Sequence, residues 1–442
     1  MARQKRDRLD EQISGGNPKI MVSSRTNFRW VIVAMLFLST TIVYFDRVLI
    51  GILAPTLGKE FGWNEQEYGY IVFAFQLTYA MGTFFMGYVI DRLGTKWGFA
   101  LAVFLWGLAS TGHALARSWM GFAFARMGLG IGQAANFPAS IKTVAEWFPP
   151  KERAIATGLF NGGSNMGQVF APLIIPVILM LFFSWKFVFV FSGFLSVLWL
   201  IMWLIVYRSP EESRFVNQGE RDYILDGSPK QEKVKIPWSR LVLYKQTWAV
   251  ALGKLFADPV WYFYLFWGAK FLNAKFGVNL SGLALPLVII YIVGWCGGVG
   301  GGALFAGLRK RGKSLNAARK TTMLITAILV LPVMIVPFWD SIYGCVALIA
   351  IAAAAHNSWS ANIFTVASDL FPKSAVGSVI GFATTVSGVA SMITSLLIGY
   401  ALNQAGTDGY VFPFVIAAFG YLIGLTVVHW LSPAMKPVQL NL

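Results

Sequence analysis

Twelve apolar stretches, each close to the roughly 20 residues that span a bilayer, recur along the chain and leave it few ways to fold. They lie at 30–53, 68–90, 97–115, 118–140, 154–180, 186–207, 247–272, 282–307, 321–338, 342–366, 375–402 and 411–431. A helix rising about 1.5 Å per residue crosses a hydrocarbon core of about 30 Å in that length. Composition agrees: of 442 residues 56% are hydrophobic and only 13% charged, against about 25% charged in soluble domains. Two or three soluble domains could not cover their surfaces with so few charges. The expected fold is all-α, a polytopic membrane protein of twelve transmembrane helices in two six-helix halves.

The net charge of +16 would suit a nucleic-acid binder, but its distribution argues against that partner. Of the 36 Lys and Arg, 28 fall on the loops of one face and four (Lys59, Arg117, Lys186 and Lys275) on the other. The positive-inside rule makes the basic face cytoplasmic, and an even number of spans puts both termini there. The organisation that follows is a cytoplasmic tail over 1–29, without a removable signal peptide, and a first half over 30–207. A central cytoplasmic loop over 208–246, a second half over 247–431 and a cytoplasmic tail over 432–442 complete it. An internal repeat supports the division. Phe148-Pro149 returns as Phe371-Pro372, and at the same offset of 223 residues Gly158 meets Gly381 and Ser164 meets Ser387. Parallel six-helix repeats are a plan used by secondary transporters.

Several chemistries lack the residues they need. Cys296 and Cys345 both sit in apolar runs, and His113, His356 and His429 are too scattered to form a metal cluster. The glycine-rich stretches 128–132, 163–167 and 297–302 lie inside spans. Small residues there let backbones pack closely, whereas a nucleotide fingerprint must follow a strand and open a helix in water.

Ionisable residues at membrane depth carry the functional signal, because they are costly there and mark substrate or proton paths. Asp46, Arg47, Arg126 and the pair Lys254/Asp258 stand out. Asp46 lies about 24 Å along the first span and Arg126 about 12 Å along the fourth, both in the outer half, so the two are expected as neighbours. One carboxylate cannot neutralise two guanidinium groups, which points to an anionic ligand. Lys254 and Asp258, four apart on one span, are expected to pair with each other beside a kink at Pro259. Asn161, Ser164, Asn165 and Gln168 share one face of the fifth span and suit a polyhydroxylated ligand. His356, Asn357, Ser358 and Ser360, with Thr384, Thr385 and Ser387, offer a matching wall in the second half. Tyr44, Gln76 and Tyr79 add phenol and amide groups. Between the second and third spans, Gly87-Tyr-Val-Ile-Asp91-Arg92-Leu-Gly94-Thr-Lys96 forms a loop motif. Gly87 is read as permitting close helix approach, Asp91 as accepting at a neighbouring helix N-terminus, and Gly94 as making the turn. Arg92 and Lys96 follow the positive-inside rule.

Tyr44-Phe-Asp46-Arg47, the Asp91-Arg92-x-Gly94 loop, Arg126 with its glycines, and Glu146-Trp-Phe-Pro-Pro-Lys-Glu-Arg153 resemble the anion:cation symporter family of the major facilitator superfamily. Asp258-Pro-Val-Trp-Tyr-Phe-Tyr264, Ala355-His356 and Ser368-Asp-Leu-Phe371 look like its hexuronate transporter branch. The likeness implies a symporter of the bacterial inner membrane that imports a sugar acid (a hexuronate or aldonate) with protons by alternating access; a monomer without cofactor or metal is expected. It implies that Arg47 and Arg126 serve the substrate carboxylate or hold Asp46 until it is protonated. Tyr44, Tyr79, Ser164 and Thr384 would line the cavity. The galactonate-type pattern has a glutamate where this chain has Gln133, which leaves Asp46 as the proton-coupling group. A second transport reading is an organic-anion or sugar-phosphate exchanger with Arg47 and Lys254 or Lys270 as its anion clamp. A membrane-embedded enzyme finds no metal constellation, nucleotide loop or nucleophile–base pair in the sequence.

Overall fold

The computed structural model describes residues 26–225 and 238–438. Most of the N-terminal tail, residues 226–237 of the central loop (within the basic run ending at Lys235) and the last four residues lie outside the described residues. The first half comprises α1 (Arg29–Phe61), α2 (Glu65–Gly112), α3 (Trp119–Gln133), α4 (Asn136–Trp147), α5 (Arg153–Phe182) and α6 (Lys186–Val206). Two short helices of the connecting segment follow, α7 (Gln218–Leu225) and α8 (Trp238–Leu241). The second half contains α9 (Lys245–Leu255), α10 (Asp258–Phe276), α11 (Leu280–Lys310), α12 (Leu315–Val330), α13 (Ile342–Leu370), α14 (Lys373–Ala405) and α15 (Val411–Leu431). These make twelve membrane crossings. α2 carries the second and third, α3 with α4 the fourth, and α9 with α10 the seventh. α12, continued by a 3-10 segment over Leu331–Phe338, carries the ninth.

Local chemistry sets the breaks. α1 ends at Gly62, whose left-handed φ of 65° is readily adopted only without a Cβ. Two residues on, Asn64 accepts from the Glu67 backbone while Glu67 accepts from the Asn64 N–H, a reciprocal cap that starts α2. Within α2 the turn between crossings falls at Gly94, with φ 76° and ψ 162°, a region open to glycine almost alone. The seventh crossing stops at Leu255 and restarts at Asp258, where Pro259 needs no intrahelical N–H partner. α1 runs eight residues past its expected end at 53, straight through Pro55, because one proline removes a single hydrogen bond and a flanked helix absorbs it. That extension moves Asp46 from the outer half to the middle of a 33-residue helix.

Burial is inverted relative to a soluble protein. Phe85, Leu108, Phe124, Met180, Phe338 and Trp430 are all more than half exposed, a surface that only lipid covers without a large hydrophobic cost. Asp46, Arg47, Arg126, Gln133 and Lys254 are buried instead. The glycine-rich stretches act as packing faces: a Cβ on Gly163 or Gly167 would strike the backbone of α1 at Phe37 and Thr41, and one on Gly297 the backbone of α13 at Ala354.

The halves meet tightly at the end that carries the 62–64 turn. Tyr68 donates to the Phe266 carbonyl at 2.6 Å, Lys270 pairs with Glu65 at 2.6 Å, and Ser395 donates to Gln76 at 3.0 Å. Gly51 lies against the Leu265–Phe266 backbone, and Gly69 against Gly399. Toward the opposite end, the one bearing both termini, a Cβ on Gly87, Gly158, Gly302 or Gly377 would meet nothing within 4 Å. The expectation that Gly87 lets helices approach closely is not met, since a Cβ there would meet nothing within 4 Å. The two ends differ in closure.

Candidate functional site

α1 supplies Asp46 and Arg47, adjacent in sequence and hence about 100° apart around the helix. They address different neighbours. Asp46 points into the first half, where Oδ1 accepts from Ser110 of α2 at 3.2 Å and from Ser192 of α6. Its Oδ2 accepts from Gln133 of α3 at 3.3 Å. Arg47 Nε donates to Gln133 Oε1 at 3.2 Å, so a single amide joins the carboxylate to the guanidinium. No ion pair within 4 Å holds Asp46 to Arg47 or Arg126 among the described residues, although both arginines lie within electrostatic reach of it. The expected neighbourhood exists, but the arginines do not grip the carboxylate directly. Two serines and Gln133 satisfy it.

The guanidinium groups are held by aromatic faces. Arg47 Cζ lies 4.6 Å from the Tyr44 ring centroid, 4.4 Å from that of Tyr79 and 5.5 Å from that of Phe75. Arg126 Cζ lies 5.7 Å from the same Phe75 ring. Such contacts offset part of the cost of burying a cation. They leave hydrogen-bond capacity unused: Arg47 Nη2 and Arg126 Nε and Nη1 are buried without a partner among the described residues. Buried donors without acceptors cost free energy, and charged guanidinium donors bond strongly to a carboxylate. Tyr262 of α10 lies within electrostatic reach of Arg47 from the second half, which puts Arg47 near the seam.

The other expected residues distribute unevenly. Ser164 is half-buried and donates to the Asn161 carbonyl of its own helix, and Asn161 is exposed. Gln76 belongs to the closed layer through Ser395. His356 is buried, stacked face to face on Trp261 at 4.9 Å, and its Nδ1 lies 2.8 Å from the Tyr421 hydroxyl. Asn357 is half-buried and bonds back to the Ala353 carbonyl, while Thr384 is exposed. Lys254 and Asp258 pair at 3.0 Å as expected. Neither lysine of the alternative clamp is free, since Lys270 is bound to Glu65. In the loop motif Gly94 makes the turn, Lys142 donates to Asp91 at 2.9 Å, and the Lys96 carbonyl accepts from Trp203. Arg92 is exposed over the Tyr88 ring.

Sequence reasoning missed Ser110, Ser192 and Phe75. Single serines in apolar spans carry no spacing signal, and Phe75 looks like any lipid-facing aromatic until two arginines flank it. It also missed a cluster at the end bearing the termini, where Arg29 pairs with Glu152 at 3.0 Å and Glu220 at 2.9 Å, and Tyr223 donates to Glu152 at 2.7 Å. Burial alone would raise the Glu152 carboxyl, but the Tyr223 hydroxyl and the Arg29 guanidinium outweigh it and hold the group below the usual range. A separate cavity of about 780 Å³ near the 62–64 end, lined by Pro55, Lys59, Pro176, Asn273 and Leu280 among others, contains none of the site residues.

The family profile described as Major Facilitator Superfamily matches residues 36–318. The hexuronate transporter of Escherichia coli (strain K12) is 33% identical over 415 residues, covering 92% of this chain and 95% of that protein. The galacturonate transporter of Dickeya chrysanthemi is 33% identical over 330 residues, covering 74% of this chain and 95% of its own length. Among solved structures, an inward-facing, unoccupied bacterial homologue of the human lysosomal transporter Spinster superposes with a TM-score of 0.76 at 19% identity. It covers 92% of this chain and 98% of that one.

Proposed function

The chain belongs to the major facilitator superfamily, a family of membrane transporters rather than enzymes, and from that premise we propose that it imports a sugar acid, a hexuronate or aldonate, together with protons. The observation that carries the reading is the pair of buried guanidinium groups, Arg47 and Arg126, with three donor nitrogens unpartnered and no ion pair to a carboxylate within 4 Å among the described residues. Even with Asp46 ionised, one cationic charge is left over, and an anion of the substrate supplies its counter-charge. The relatives that transport hexuronate and galacturonate support a carboxylate on a sugar frame.

With both termini cytoplasmic in a bacterial inner membrane, the closed end is periplasmic and the conformation faces inward. Substrate would enter when the Glu65–Lys270 and Tyr68–Phe266 contacts part, and it would leave through the opposite end. Asp46 would take the proton. A protonated Asp46 no longer attracts the arginines, and Gln133, relieved of an anionic acceptor, hands the Arg47 fork to the substrate carboxylate. Deprotonation toward the cytoplasm restores the bridge and releases the acid. Uptake of radiolabelled galacturonate and glucuronate into proteoliposomes tests the reading, with an imposed pH gradient and an uncoupler control. Accumulation above equilibrium that the uncoupler collapses is expected. Equilibration without accumulation would remove proton coupling, and no uptake of either acid would remove the substrate class.

A further inference from the structure

The Lys254–Asp258 pair is not closed on itself. Lys254 Nζ reaches Asp258 Oδ2 at 3.0 Å, and Ser387 Oγ of α14 donates to that same oxygen at 2.6 Å. Oδ1 receives no hydrogen bond from the described residues, and the carboxylate stays partly accessible, at 19% against 6% for the Lys254 side chain. The Asp258 charge lies near the seam. Asp258 is within electrostatic reach of Tyr44 on α1, in the other half, and of Tyr262 and His356 in its own. Tyr44 is also one of the rings that hold Arg47, so the carboxylate of the second half stands across the seam from the cationic cluster of the first.

The backbone explains why it is held there. The seventh crossing breaks between Leu255 and Asp258, and Asp258 opens the new helix on the turn that the break exposes. Buried ion pairs contribute little to stability once desolvation is counted. A carboxylate oxygen with open lone pairs is, however, a strong acceptor for hydroxyl donors. Lys254 offsets the charge, so an incoming acid is not repelled.

We propose that Asp258 Oδ1, positioned by Lys254 and Ser387, is the hydroxyl-reading group of the second half, accepting from the sugar hydroxyls of an acid whose carboxylate is taken by Arg47 and Arg126. The proposal rests on the sugar-acid reading above and adds the specificity determinant to it. A site built to bond a hydroxyl discriminates strongly against ligands that present it wrongly, so the group should set the preference among epimers.

The test is ligand binding to the purified full-length protein, by calorimetry, with galacturonate, glucuronate and mannuronate. The double substitution Lys254→Gln with Asp258→Asn keeps size and neutrality while removing the anionic acceptor. It is expected to weaken the preferred acid roughly tenfold to a hundredfold and to bring the three affinities close together. Ser387→Ala, which leaves the ion pair intact, should weaken it by a smaller factor, with Ser387→Thr restoring it; this pair of variants carries the test if the double variant does not fold. A double variant that keeps the wild-type ranking overturns the proposal, even if all three affinities fall equally, and so does a wild type that binds all three alike. A wild type that binds none of them overturns instead the sugar-acid reading on which the proposal rests.

Discussion

Arg126 has two buried nitrogens, and Arg47 one, without a partner among the described residues. A planar fork makes two parallel bonds to a carboxylate, whereas lysine offers a point charge. Arg126→Lys is therefore expected to lower galacturonate uptake at least tenfold at an unchanged amount of protein in the membrane, and wild-type uptake by that variant would remove it from the clamp. Asp46 sits on three donors, from Ser110, Ser192 and Gln133. Asparagine cannot change charge there, so Asp46→Asn should abolish accumulation driven by a pH gradient while substrate exchange and binding persist. Vesicles of that variant that still concentrate substrate would pass the coupling role to another group. Gln133 joins Asp46 to Arg47 through one amide. Gln133→Leu should consequently disturb both the affinity and the pH dependence of uptake, two readouts that a purely packing role would not move together.

Among the elements, two junctions carry the most specific demands. Gly94 holds φ 76° and ψ 162° between the second and third crossings. A side chain there costs about 1–3 kcal/mol, so Gly94→Ala should lower the melting temperature of the detergent-solubilised protein measurably. The second junction is the Arg29–Glu152–Glu220–Tyr223 cluster, which ties α7 to α1 and α5. The Glu152 carboxyl is depressed in the folded protein. Its contribution is thus complete above the unfolded value of about 4.3 and is lost as pH falls through the lower folded value. Glu152→Gln should melt below wild type at pH 7 and approach it below about pH 4. A gap that persists unchanged into acid would show that the loss is one of packing.

At the scale of the whole molecule, the contacts that join the halves near the 62–64 turn are what a change of conformation must break. A Cβ on Gly399 would meet the Glu65 carbonyl at 3.0 Å and the Gly69 backbone at 3.2 Å. Gly399→Val should therefore hold the closed end apart and shift the population toward the opposite conformation. The measurement is the reactivity of a cysteine placed by Gln76→Cys, in a background lacking Cys296 and Cys345, toward a membrane-impermeant thiol reagent applied from the side of the 62–64 turn. Higher reactivity than in the Gly399 parent is expected, and equal reactivity would mean that this glycine contact does not govern closure.

The sequence by itself determined the membrane class, the twelve crossings and the division into halves, because hydropathy over about 20 residues and the sign of loop charges are local, additive properties. It also marked Asp46, Arg47, Arg126 and the Lys254/Asp258 pair, since an ionisable group in an apolar run is conspicuous whatever surrounds it. Which groups meet was decided only by tertiary structure. Ser110 and Ser192 come to Asp46 from 64 and 146 residues away, and Ser387 reaches Asp258 across 129. No periodicity encodes such pairings, because each depends on the rotation and depth of a whole helix. The extension of α1 through Pro55 and the joining of the halves near the 62–64 turn belong to the same category. They follow from how twelve helices pack together, and any one helix, read alone, is compatible with either arrangement.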